Sequence, residues 1–66
     1  MKIKLNDKEV QFLGRTLFDL VNEHGLRDKS EIAIAVNETV IPRTEWISYF
    51  LHQKDVVVII TPAQGG

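Results

Sequence analysis

The chain has no cysteine, so it has no disulfide framework, no thiolate metal site and no nucleophilic thiol, and packing alone must hold it together. Long apolar runs are missing too. None exceeds five residues, as in Val56 to Ile60, against the roughly 20 that cross a bilayer, and the N-terminus alternates like a strand instead of carrying a signal peptide's apolar block. The reading is therefore cytoplasmic, with no membrane partner. Nor is there a Lys/Arg run: eight basic residues face nine acidic ones for a formal charge of -1, which removes the electrostatic footprint of a nucleic-acid binder. With 66 residues the chain is expected to be one domain with a small core and no deep catalytic cavity. Its 44% hydrophobic content is the ordinary mixture of a globular domain that folds by itself, expected as a monomer when alone.

What is present has clear periodicity. Met1-Lys2-Ile3-Lys4-Leu5 alternates apolar and basic, Asn6-Asp7-Lys8-Glu9 supplies turn residues, and Val10 and Phe12 resume the alternation, predicting an N-terminal hairpin. Gly14-Arg15-Thr16 breaks the strand. Thr16 is a helix N-cap candidate, and Asp19 lies where its charge favours the first-turn amides. Leu17, Leu20 and Val21 then fall on one face with Phe18 flanking it, and His24-Gly25 reads as a last turn and left-handed stop of a helix of two to three turns.

After the polar loop Asp28-Lys29-Ser30, the segment Ile32-Ala33-Ile34-Ala35-Val36 alternates large with small, so one face takes bulk and the other only alanine. Asn37-Glu38 reads as a tight turn into Thr39-Val40-Ile41, which Pro42 ends. Thr44-Glu45-Trp46-Ile47 is expected as a capped single helical turn covering one end of the core, and Val56 through Ile60 as a central strand stopped by Pro62. The sum is an α+β arrangement, a helix on one face of a mixed sheet.

Few residues suggest chemistry. His24 and His52 are far apart in sequence, without the neighbours that metal-ligand spacing requires, and no Ser/His/Asp set, Gly-rich phosphate loop or catalytic carboxylate pair is present, so an autonomous enzyme is not expected. Trp46, Tyr49 and Phe50 read as core residues in preference to a binding platform. In the last strand, Val57 and Ile59 must face away from Val58 and Ile60; if the helix covers the first pair, the second is left for a partner.

Gly65 and Gly66 stand out by position. Two glycines as the final residues, after a central strand and a proline, give a carboxylate without neighbouring side chains that can thread a narrow channel and adopt whatever φ an active site imposes. From Pro62 to Gly66 the segment spans roughly 17 Å if extended.

With Gly65-Gly66 at its end, Ile34-Ala35-Val36-Asn37 followed by Ile41-Pro42-Arg43 and Trp46, and Asp55 before the last strand, the chain resembles the ubiquitin-like β-grasp sulfur carriers of the ThiS group over nearly its whole length. It departs from that pattern at Thr61-Pro62-Ala63-Gln64, which is more polar than the usual apolar lead-in, and at Gln53-Lys54-Asp55, where a glycine-containing turn is more usual. The resemblance implies a ubiquitin-like β-grasp domain over residues 1–61, with a mixed four- to five-stranded sheet, parallel first and last strands and one main helix across one face, and a flexible tail over 62–66.

It also implies a function. Gly66 would be adenylated by a ThiF-like E1 adenylyltransferase using ATP and Mg²⁺, the carrier itself binding no cofactor, and then converted by a persulfide sulfur donor into a thiocarboxylate that feeds a ThiG-like thiazole synthase in thiamine biosynthesis. Ala33, Ala35, Val58 and Ile60 are the candidate partner-docking patch. Three alternatives share parts of this pattern: a molybdopterin synthase small subunit, a ubiquitin-like protein modifier, and an interaction domain whose Gly-Gly is incidental.

Overall fold

The computed structural model describes residues 1–28 and 31–61. Lys29 and Ser30 of the polar loop, the strand stop assigned to Pro62 and the tail residues Gly65 and Gly66 thus lie outside the described residues.

β1 (Lys2–Leu5) and β2 (Lys8–Gln11) form an antiparallel hairpin in which Ile3 faces Val10 and Lys4 faces Glu9. Asn6 and Asp7 alone make the turn, with φ of 47° and 69°. Two residues at positive φ match the right-handed twist of the flanking strands, and Asn and Asp tolerate that region better than most side chains. Lys8 and Glu9 are therefore not turn residues, as their polarity suggested, but the first residues of β2. A second two-residue turn, Asn37 and Glu38 at φ of 49° and 74°, joins β3 (Ala33–Val36) to β4 (Thr39–Ile41) in the way its sequence predicts.

Between the hairpins lies α1 (Leu17–Glu23), and both of its ends are chemically specified. The Asp19 amide donates to Thr16 Oγ1 at 3.2 Å while the Asp19 carboxylate accepts from the amides of Thr16 and Arg15 at 3.0 and 2.9 Å, a reciprocal capping box extended by one donor. Gly14 precedes it because a Cβ there would sit 2.5 Å from Asp19 Cβ and 2.9 Å from the Phe12 ring. At the other end Gly25 adopts φ of 67°, and the amides of Leu26 and Gly25 donate to the carbonyls of Val21 and Asn22. That pairing is a Schellman motif, which satisfies carbonyls the helix leaves open.

Asp19 supplies a pH test of this local account. The amides of Arg15 and Thr16 hold its carboxyl below the ordinary value of 3.8. A group depressed in the folded state contributes stability that is present above its unfolded pKa and lost as pH falls through its folded pKa. The wild-type protein should therefore lose more thermal stability than Asp19→Asn when pH is lowered from neutrality to below the ordinary carboxylate range. Equal losses in melts recorded across that range would show that the carboxylate does not act as the cap.

The five-stranded sheet has the order β2-β1-β5-β3-β4, with β5 (Val56–Ile60) central, parallel to β1 and antiparallel to β3. One face is covered by α1 through Leu17, Leu20 and Val21, which pack with Ile3, Ile34 and Val57 and leave almost none of those side chains exposed. At about 1.5–3 kcal/mol per fully buried side chain, this contact supplies most of what fixes the helix on the sheet.

The expected capped helical turn is instead a 3₁₀ helix, Arg43–Ser48, entered from Pro42, with no side-chain cap from Thr44. Trp46 is its one buried residue; the indole Nε1–H donates to the Ile41 carbonyl at 2.9 Å, and the Arg43 guanidinium lies 4.4 Å from the ring centroid. The three aromatics expected in the core divide: Trp46 is buried, Tyr49 half-buried, and Phe50 exposed. The reason is the extended run after the 3₁₀ helix, where Leu17 N–H donates to Tyr49 O and Leu51 N–H to Arg15 O. Alternation there turns Leu51 inward and Phe50 outward.

Candidate functional site

The structure brings together all four residues of the expected docking patch. In the β3–β5 register Ala33 faces Ile60 and Ala35 faces Val58. These are two adjacent cross-strand pairs on the sheet face opposite α1. Val57 is fully buried beneath the helix, whereas Val58 and Ile60 are 40% and 51% exposed. Strand alternation in β5 thus separates a core side from an open side within one continuous β-branched segment.

Two further residues belong to this face. Val40 is opposite Ala35 on β4 and 63% exposed, so Val40, Ala35 and Val58 form a row across three strands, and Val56 continues the β5 column at its other end. Ala35 presents only a methyl group between the larger Val40 and Val58. Val40 was readable in principle: a two-residue turn at Asn37-Glu38 fixes the pairing that puts Val40 beside Ala35 while Ile41 turns inward.

The last residues of β5 are held from both sides. Ala33 pairs with Ile60 on one flank. On the other, β1 stops at Leu5, yet Asn6 N–H donates to Val57 O at 3.0 Å and Ile59 N–H donates to Asn6 Oδ1 at 2.8 Å. A side-chain carbonyl thus replaces the missing strand and extends the ladder toward the point where the chain leaves the sheet. In the sequence Asn6 had the signal of a turn residue only; its second role depends on the parallel neighbour that the fold supplies.

Asn37 and Asp55, two of the residues that carried the family resemblance, are architectural. Asn37 Nδ2 donates to Asp55 Oδ1 at 3.1 Å, Val56 N–H donates to Asn37 Oδ1 at 3.0 Å, and His52 N–H donates to Asp55 Oδ2 at 2.8 Å. These bonds tie the β3–β4 turn to the start of β5. Lys54, in the turn where a glycine would be usual, has φ of 70°, the left-handed region that glycine suits best.

Metal or acid–base chemistry has little to work with on this surface. Among the described residues no group of three His, Cys, Asp or Glu side chains converges as a metal site would require. His24 ends α1 and His52 sits beside Asp55, its Nδ1 3.8 Å from Oδ2. Among the described residues, no helix is long and apolar enough to cross a membrane. The arrangement is an exposed apolar sheet face whose central strand runs on toward the C-terminal residues.

Comparison with known proteins agrees with this geometry. The model of the ThiS family matches residues 3–66. The sulfur carrier protein ThiS of Escherichia coli (strain K12) is 27% identical over 67 aligned residues that take in all of both chains. Among solved structures, the thiamine biosynthesis protein ThiS from Geobacter metallireducens superposes with a TM-score of 0.84 over all of both chains at 17% identity, a likeness of fold.

Proposed function

The chain belongs to the ThiS family, and from that premise we propose that it is a sulfur carrier whose reacting group is the carboxylate of Gly66. The observation that carries the proposal is the matched span: the family's pattern and the alignment with the Escherichia coli carrier both run through Gly66. That residue follows a central strand, anchored by Asn6 and Ala33, with an open apolar face beside it.

A carboxylate is a poor electrophile and needs activation by a second protein. In the proposed sequence, an oxygen of the Gly66 carboxylate attacks the α-phosphorus of ATP on an E1-like, ThiF-type adenylyltransferase with Mg²⁺, and pyrophosphate leaves. The terminal sulfur of a protein persulfide then attacks the acyl carbon and AMP leaves, giving an acyl disulfide. A thiol cleaves its S–S bond, taking up the donor's sulfur as a disulfide and leaving the thiocarboxylate on Gly66. That sulfur is a nucleophile toward a carbonyl-derived intermediate on a ThiG-type thiazole synthase. The carrier supplies a reactant and an address, while its partners supply the catalysis.

The open face gives the address. Ala33, Ala35, Val58 and Ile60, with Val40 and Val56 beside them, are the surface on which these partners dock, because burying it removes the largest exposed apolar side chains of the sheet from water. The first step is reversible. ATP–pyrophosphate exchange catalysed by a ThiF-type enzyme from the same organism should therefore depend on added carrier and saturate with it. Exchange indifferent to the carrier would refute the proposal.

A further inference from the structure

Beside the start of β5, on the same open face, is a cleft of about 270 Å³ lined by Lys2, Lys4, Glu9, Gln53, Lys54 and Val56. Its walls come from opposite ends of the chain: β1 and β2 contribute the first three residues, the turn before β5 contributes Gln53 and Lys54, and β5 contributes Val56. Three lysines and one glutamate line the cleft, a formal excess of two positive charges in a chain whose formal charge is -1. The single carboxylate is already engaged, Glu9 Oε1 lying 3.8 Å from Lys2 Nζ. Among the described residues no carboxylate lies within ion-pair distance of Lys4 or Lys54.

We infer that this cleft is the receptor for an acidic segment of the protein that takes up the Gly66 tail, an inference that rests on the carrier reading above. Charge complementarity names the occupant's chemistry. Its position names which protein carries it. Val56 lines the cleft and also begins the apolar column Val56, Val58, Ile60, so the cationic site and the docking strip are continuous. The column is about 13 Å long at the rise of an extended strand, and β5 ends at Ile60, its far end. A partner lying along it therefore meets the cleft at one end and, at the other, the end of the strand that leads in sequence to Gly66. The carboxylates of its acidic segment reach Lys4 and Lys54, with the Gln53 side chain, which accepts from Lys2 N–H at 2.8 Å, shaping the wall between.

Such a rim contact acts on encounter and orientation, not on the chemical step, and salt screens it. The test measures the apparent KM for the carrier in ATP–pyrophosphate exchange with the ThiF-type enzyme across a range of sodium chloride concentrations. Lys4→Gln/Lys54→Gln should raise KM by about tenfold at low salt and flatten its salt dependence, with kcat held. Glu9→Gln, which removes the one negative charge, should move KM the other way, lower by about threefold. Lys8→Gln, which removes one lysine charge outside the cleft, should leave KM where it was.

Wild-type KM and salt slope in the double variant would overturn the cleft assignment, as would an equal rise with Lys8→Gln or a rise with Glu9→Gln. Failure of the carrier reading looks different: no carrier-dependent exchange with the wild-type protein. Melting curves of all three variants check that the exposed substitutions leave the fold intact.

Discussion

Deletion of Gly66 should abolish carrier-dependent pyrophosphate exchange, with an expected fall in kcat/KM of about a thousandfold or more, and leave the melting temperature that of the wild type. The magnitude follows from geometry. Removing one residue withdraws the terminal carboxylate by about 3.5 Å, and a displacement of only 1 Å from attack geometry can already cost about a hundredfold. Stability is spared because the buried side chains of the core lie between Ile3 and Val57. Retention of exchange after the deletion would place the reacting group elsewhere and leave Gly65-Gly66 incidental.

Val58→Asp has the second largest expected effect, and it acts on recognition. Val58 is 40% exposed at the middle of the apolar face, opposite Ala35 and between Val56 and Ile60. A carboxylate there would be desolvated against the partner's surface, and loss of a central interface contact of this kind costs about 2 kcal/mol or more, near a thirtyfold rise in KM. The isolated fold should lose only about 1 kcal/mol, since the side chain stays in contact with water and what changes is strand preference. Steady-state exchange kinetics and a thermal melt on the same sample separate the two. An unchanged KM would remove this face from the docking surface.

Much of this was written in local chemistry. Thr16, Asp19 and Gly25 specify both ends of α1 without reference to the rest of the chain, and the Asn-Asp and Asn-Glu turns set the pairing of both hairpins. Alternation in β3 and β5 already separated Ala33, Ala35, Val58 and Ile60 from the core, and the register then made them cross-strand neighbours. Local rules failed where tertiary contacts decide. The segment after Pro42 carries helix-start residues, but the buried indole of Trp46 and the short reach from β4 select a 3₁₀ helix, and the bonds from Leu17 and Leu51 turn Phe50 out to solvent.

Strand order was not legible from periodicity at all. The parallel β1–β5 pairing came as an implication of the family resemblance, and two features depend on it: the bridging role of Asn6 and the cationic cleft. Lys54 is separated from Lys2 and Lys4 by most of the chain, so no spacing rule could have joined them. In a small domain, the functional surface is assembled largely by which strands lie in the middle.

The central claim is that Gly66 carries sulfur, and intact-protein mass spectrometry addresses it directly. The wild-type protein is incubated with the ThiF-type enzyme, ATP, Mg²⁺, a persulfide donor and a thiol. The account predicts a mass increase equal to the difference between one sulfur and one oxygen atom, localised by fragmentation to Gly66 and absent when ATP is omitted. An unchanged mass, or a product joined through an isopeptide bond to a lysine, would contradict it.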